Sequence, residues 1–84
     1  MNNADSSSDF TEGEKIHGVV VEFDEHVGLG VILVDDRGTL PFHSINIADG
    51  TRTIGIDANI SAEVFWHPRG RFEAREIVPL ELSS

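Results

Sequence analysis

Short runs of β-branched and aromatic residues, separated by breaks that contain glycine and aspartate, occupy the chain from Lys15 onwards. No window repeats with the period of a helix over three turns. Alternation is clearest at 59–66, where Ile60, Ala62 and Val64 alternate with polar neighbours, as in a strand with one buried and one solvated face. The pattern predicts five strands, at 15–23, 29–35, 39–43, 59–66 and 72–79, and a short helical turn at 44–48.

Five short strands in a chain of 84 residues leave two simple architectures, a barrel or a small sandwich. A barrel is favoured, because closure removes exposed strand edges and suits a chain too short for two full sheets. Residues 1–14 are rich in Ser, Asn and acidic side chains and are predicted to form a disordered tail. The expected organisation is therefore one domain at 15–80, between this tail and a C-terminal tail at 81–84.

Charge and composition narrow the possible partners and compartments. The formal net charge is −9, from 15 acidic and 6 basic residues, which repels a phosphate backbone at long range. Cysteine is absent, so neither disulfides nor a cysteine zinc site brace the fold. No apolar run approaches the ~20 residues of a membrane span, and residues 1–9 lack the features of a signal peptide. A cytoplasmic location is expected.

Five segments, in order and at nearly family spacing, resemble the motifs of cold-shock domains. The first, GVVVEFDEHVGLGVI at 18–32, resembles the pattern G-x-V-K-W-F-N-x-x-K-G-F-G-F-I. The others are LPFHSINI at 40–47, GTRTI at 50–54, ISAEV at 60–64 and the stretch 70–77, which resemble V-F-V-H-F-S-A-I, G-F-K-T-L, V-S-F-E-I and G-P-x-A-x-N-V. The resemblance covers 16–79 and implies an all-β fold, a five-stranded antiparallel OB-fold barrel.

The resemblance also implies a single-stranded RNA- or DNA-binding protein with a role in gene regulation. In this family bases stack on aromatic residues of the second and third strands, and each stacked base contributes ~1–3 kcal/mol. Here most of those positions carry other residues. The family's aromatic positions fall on Glu22, Leu29, Val31, Pro41, Ser44 and Thr51. The loss of several stacking contacts predicts weak binding.

The residues that remain suited to binding form a reduced site. Phe23 and His43 keep the family's aromatic chemistry, and Arg52 keeps a base in the long loop. Leu29 and Val31 are expected to share one exposed face with Phe23. The alternative for Phe23 and His43 is packing on a barrel face. The alternative for Leu29 and Val31 is an apolar surface covered by the tail, by Phe10 or by a partner protein. The candidate nucleic-acid-binding residues are Phe23, Leu29, Val31, Phe42, His43, Arg52, Arg71 and Phe72.

Arg69, Arg71 and Arg75 cluster around Phe72 at the last hairpin, the one basic patch with an interleaved aromatic residue. The competing interpretation is ordinary solvated hairpin charge. Trp66 has the parity of the buried residues of its strand, so core or rim packing is expected for it, whereas Phe65 has the parity of the polar set and is expected to be exposed.

Other chemistries receive little support from the sequence. The four histidines lack the spacing of a metal motif, and no metal or other cofactor is predicted. Ser44 beside His43 is no catalytic triad, so a binding protein rather than an enzyme is expected. The alternative function is a protein-interaction module with an apolar face for a partner or a homodimer, formed by Val19, Val21, Leu29 and Val31. A small-molecule sensor at the barrel mouth is a third possibility.

Overall fold

The computed structural model describes residues 10–35, 37–48, 50 and 53–80. Within them the chain forms five strands and one 3₁₀ turn, and the predicted strand ends are confirmed to within one residue. The elements are β1 (Lys15–Asp24), β2 (Leu29–Val34), β3 (Gly38–His43), the 3₁₀ turn Ser44–Asn46, β4 (Asn59–His67) and β5 (Arg71–Pro79).

The strands close into a barrel in the order β1-β2-β3-β5-β4, with β4 returning to β1. Four of the neighbouring pairs are antiparallel, but β3 and β5 are parallel and meet at Phe42 and Ala74. The predicted antiparallel barrel is therefore confirmed, with one parallel seam between β3 and β5. The reason is the order of the strands along the chain. Between β3 and β5 the chain passes through β4 and reverses its direction twice, so β3 and β5 run the same way.

The inward-facing residues form one continuous apolar core. Its members alternate with outward-facing residues along β2 and β4, as the sequence pattern predicts. The largest fully buried side chains are Phe42, Ile32, Leu40, Ile60, Ile77, Val20, Val34 and Val64. Burying each of these larger apolar side chains, instead of leaving it exposed, contributes ~1.5–3 kcal/mol to the free energy of folding.

Two glycines let the strands approach one another closely. A Cβ atom on Gly30 would lie 2.8 Å from the carbonyl oxygen of Glu22 and would overlap the ring of Phe42. A Cβ atom on Gly18 would lie 2.6 Å from the carbonyl oxygen of Leu33. Both positions sit where the motif of cold-shock domains has glycine, and the physical reason is close backbone packing.

Residues 10–14, the N-terminal strap, lie alongside β4. The amide of Gly13 donates to the carbonyl of Val64 (2.7 Å), and the amide of Val64 donates to the carbonyl of Glu14 (2.8 Å). The amide of Trp66 donates to Glu12 Oε1 (2.8 Å). Residues 10–14, which belong to the segment predicted as a tail, are thus in contact with the barrel. Residues 1–9 and 81–84, also predicted as tails, lie outside the described residues.

Side chains tie the strap to two hairpins. The ring of Phe10 packs edge-on against Phe72 of β5, with centroids 6.3 Å apart. The guanidinium of Arg37, in the β2–β3 turn, lies 4.9 Å from the Phe10 ring centroid. Arg37 also donates to both carboxylate oxygens of Glu14, with Nη2 to Oε1 at 2.9 Å. This hydrogen bonding lowers the pKa of Glu14 below its usual value.

Replacing Gly30 by Ala is expected to destabilise the barrel by about 1–3 kcal/mol, since the new methyl group overlaps Phe42 and a backbone oxygen. Urea unfolding followed by circular dichroism measures the change. Gly55→Ala is the matched control, because a Cβ atom there meets nothing within 4 Å. The control should leave stability unchanged or slightly raised. Equal effects of the two substitutions would contradict the close-approach explanation.

The strap should give the fold a specific pH dependence. Because the pKa of Glu14 is lower in the folded state than its usual 4.5, the ionised carboxylate stabilises the fold above pH 4.5. That contribution is lost as the pH falls through the folded-state pKa. Glu14→Gln should therefore lower Tm near neutral pH, and the difference from the wild type should shrink in acid. Glu22→Gln, at an exposed carboxylate, is the control. A difference that is constant with pH would refute this role for Glu14.

Candidate nucleic-acid interface

The outer face of β2 and β3 carries a row of apolar side chains. Leu29 lies opposite His43, and Val31 lies opposite Pro41. These residues alternate with buried ones, so they point away from the core. Leu29 is 51% exposed, and the structure thus brings Leu29, Val31 and His43 together on one surface.

Phe23 differs from this row. The register of β1 against β2 shifts between Val20 and Glu22, which is a bulge. As a result Glu22 lies opposite Val31 on the outer face, and Phe23 lies opposite Gly30 in the inward-facing row. The ring of Phe23 stacks on Phe42, with centroids 5.9 Å apart, and packs against the core. Phe23 is thus half-buried, and it lines the same cleft as Leu29 and Val31 without standing in their outward row.

Two other candidate residues lie away from the outer face. Phe42 is only 1% exposed and its ring lies beneath Phe23, although the residue also borders the hairpin cleft described below. Phe72 packs against the ring of Trp66, with centroids 4.8 Å apart, and against Phe10. It points the opposite way from Arg71, because neighbouring residues of a strand alternate in direction. Arg52 lies outside the described residues.

Two clefts open on the outer face and meet at Leu29, Pro41 and Arg71. The strand cleft, of about 610 Å³, lies over β1 and β2. The hairpin cleft, of about 550 Å³, lies between β3 and the β4–β5 hairpin. The strand cleft is lined by Glu22, Phe23, Asp24, Val27, Leu29, Gly30, Val31, Pro41 and Arg71. The side chains used below from the hairpin cleft are Leu29, His43, Phe65, His67, Arg69, Arg71 and Glu73.

Phe65, His67 and Glu73 are site residues that the candidate set omits. Phe65 lies directly opposite Glu73 in the β4–β5 ladder, and His67 lies opposite Arg71. The sequence carries a signal for Phe65, since it has the parity of Ser61 and is expected to be exposed. No such signal exists for Glu73, because its position beside β3 follows from the parallel seam.

The two histidines of the hairpin cleft are held in the same way. His43 Nδ1 accepts from the amide of Ile45 (3.2 Å), and His67 Nδ1 accepts from the amide of Arg69 (3.0 Å). A neutral imidazole whose Nδ1 accepts a hydrogen bond carries its proton on Nε2. Each ring therefore has an Nε2–H group available as a donor.

Ion pairs neutralise part of the basic hairpin. Arg71 Nε donates to Glu73 Oε2 at 2.8 Å, and Arg75 Nε donates to Glu63 Oε1 at 3.4 Å. The hydrogen bond that Arg75 donates to Glu63 raises the pKa of Arg75, whose guanidinium also lies 5.1 Å from the Phe65 ring centroid. Arg69 makes no ion pair with any described residue. The hairpin end of the surface is thus its basic end, and the end with Glu22 and Asp24 is acidic.

The described residues contain no group of three or more His, Asp or Glu side chains placed to hold a metal ion. Over the same residues, no helix has the length and apolar character needed to cross a membrane.

A closed five-stranded barrel with one parallel seam between its third and fifth strands is an OB fold. Among solved structures, the chain is similar to cold-shock domains 4–6 of Drosophila Unr, with a TM-score of 0.68 and 23% identity over 86% of this chain. It has the fold of a cold-shock domain. It spans 29% of that Unr chain. No protein-family model matches the sequence, and no curated protein is significantly similar to it.

Proposed function

We propose that this protein binds single-stranded RNA or DNA weakly, along the strand cleft and the hairpin cleft, and acts in gene regulation. The observation that carries the proposal is the continuity of the two clefts through Leu29, Pro41 and Arg71. A continuous groove with apolar walls and a basic end can follow an extended strand of nucleotides.

Different side chains of the groove are suited to different parts of a nucleotide strand. Phe65 and His43 offer ring faces for stacking, and Leu29 and Val31 offer apolar contact to sugars and bases. Arg69 is proposed to bind phosphate, together with Arg52 on the basis of its position in the family's loop motif. Two stacked bases at ~1–3 kcal/mol each, opposed by the acidic end of the groove, correspond to weak affinity. These groups suit binding rather than catalysis.

A second candidate function is docking of a protein or of a second copy of this chain. It is favoured by the large aliphatic side chains around the clefts, since Val27, Leu29 and Ile45 are all more than half exposed. Exposed apolar groups concentrated in one area are typical of protein interfaces.

Titration of oligonucleotides into the full chain tests the first candidate. Seven-nucleotide RNA and DNA strands should shift the amide NMR signals of residues in the two clefts. Leu29→Ala should weaken binding about fivefold, because it removes ~1 kcal/mol of apolar contact. Leu33→Ala is the matched control, because Leu33 is also an exposed leucine on the outer face of β2 but lies outside both clefts.

Salt dependence separates the two candidates. Nucleic-acid affinity should fall steeply between about 50 and 200 mM salt, whereas an apolar protein interface is nearly insensitive to salt. Absence of any shift in the clefts at millimolar oligonucleotide would refute the nucleic-acid proposal. Concentration-dependent dimerisation that Leu29→Ala abolishes would support the second candidate.

A further inference from the structure

Glu73 is a buried carboxylate at the floor of the hairpin cleft. It lies on β5, between Phe65 across the β4–β5 ladder and the neighbouring strand β3. Its residue exposure is 7%, and its side chain is 9% exposed. Acidic side chains are rarely buried to this extent unless they are paired.

The pairing of Glu73 is incomplete. Oε2 accepts a hydrogen bond from Arg71 Nε at 2.8 Å. Across the described part of the chain, Oε1 accepts no hydrogen bond. An acceptor without a partner among the described residues, on a side chain only 9% exposed, can be satisfied by a ligand that donates a hydrogen bond. The ion pair with Arg71 fixes the orientation of the carboxylate, so the acceptor is ready before a ligand arrives.

Arg71 and Glu73 together present a donor beside an acceptor. Arg71 lines both clefts, and its side chain is 56% exposed, so its remaining N–H groups are accessible. The Watson–Crick edge of guanine offers the complementary series, namely the O6 acceptor followed by the N1–H and N2–H donors. Arg71 can donate to O6 while the Glu73 carboxylate accepts from N1–H and N2–H.

The other bases fit this pair less well. Uracil and thymine replace the N2 amino group of guanine with a carbonyl oxygen, which the carboxylate repels. Adenine and cytosine can turn their amino donor to Glu73 and their ring-nitrogen acceptor to Arg71, but each then offers the carboxylate one donor instead of two. Guanine is therefore the base that offers the carboxylate two adjacent donors and Arg71 an acceptor at the same time.

The walls of the cleft are suited to a planar ring. Phe65 and His43 both line it, and its volume of about 550 Å³ lies within the ~300–1,000 Å³ typical of ligand pockets. Unstacked bases of single strands are commonly held between aromatic side chains and recognised on their Watson–Crick edges.

We propose that the hairpin cleft is a guanine-selective base pocket, in which Glu73 and Arg71 recognise the base edge. The proposal rests on the proposed nucleic-acid-binding function and adds a base preference to it. The shared chemistry is the guanine base, whether it belongs to a strand or to a free nucleotide, and we assign it to a strand because the hairpin cleft continues into the strand cleft.

The test compares the heptamers UUUGUUU, UUUIUUU, where I is inosine, and UUUUUUU on the full chain. The guanine-containing heptamer should bind about tenfold more tightly than the all-uracil heptamer, because one matched bidentate contact gives ~1–3 kcal/mol of discrimination between bases. Inosine lacks the N2 amino group and should fall between the two. Guanosine 5′-monophosphate, tested alone, should bind more weakly than the guanine heptamer.

Two glutamine variants test the role of Glu73. Glu73→Gln should remove most of the preference for guanine over uracil and leave the affinity for UUUUUUU nearly unchanged. Glu63→Gln is the matched control, because Glu63 is also ion-paired with an arginine of β5 but lies outside both clefts. If Glu73→Gln unfolds the protein, the inosine comparison on the wild type still tests the N2 contact.

Each other outcome overturns a defined part of the proposal. Equal affinity for the three heptamers would overturn guanine selectivity and leave nucleic-acid binding intact. Binding of guanosine 5′-monophosphate as tightly as the guanine heptamer would overturn the assignment to a strand. If none of the heptamers binds at millimolar concentration, the proposed nucleic-acid-binding function itself is overturned. In that case an arginine-containing peptide whose binding depends on Glu73 would identify the cleft as a protein site.

Discussion

The contact between the Phe42 ring and the bare backbone of Gly30 is the constraint on which both the barrel and its outer clefts depend. Because Gly30 has no side chain, the Phe42 ring can lie close to β2 while Phe23 stacks on it. On the other side of β3, Phe42 lies opposite Ala74, a small residue that lets β5 approach. This approach closes the barrel. It also sets the outer residues of β3 beside Phe65 and Glu73, and so creates the hairpin cleft.

Charge is distributed so that the chain offers little general attraction to phosphate. Three of its arginines, Arg37, Arg71 and Arg75, are each held by a glutamate. The pairs of Arg71 and Arg75 are largely solvent-accessible on the arginine side, so they contribute little to stability. A groove of this kind depends on local matching of groups rather than on a broad positive field.

The sequence predicts the fold well because the fold depends on the inward-facing apolar residues of the strands. Alternation in β4 and the glycines of the cold-shock motif locate the strands and their close approaches, and the likeness to the Unr domains agrees. The parallel pairing of β3 with β5 depends on how the chain reverses between the two strands. A local pattern of hydrophobic and polar residues does not reveal it.

The candidate site is less predictable, because small register changes redirect side chains. The bulge after Val20 turns Phe23 inward and Glu22 outward, although both are assigned correctly to one strand. Phe72 was grouped with the arginines by sequence proximity, whereas strand alternation points it towards Phe10 and Trp66. The N-terminal strap is not apparent from the sequence, because Phe10 is a lone apolar residue in a polar segment. Its contacts with Phe72 and Arg37 join distant parts of the chain.

Weak affinity and strong selectivity are compatible in such a groove, because they arise from different groups. Affinity for a single strand depends on the number of stacked bases and bound phosphates, and this chain has non-aromatic residues at most positions where the cold-shock motif is aromatic. Selectivity is a difference between ligands, and a buried acceptor enlarges it by penalising any ligand that leaves it unpaired. Glu73 and Phe65 lie in paired strands rather than in loops, so the barrel holds them in place. A cold-shock fold with few stacking residues can therefore exchange general affinity for recognition of one base.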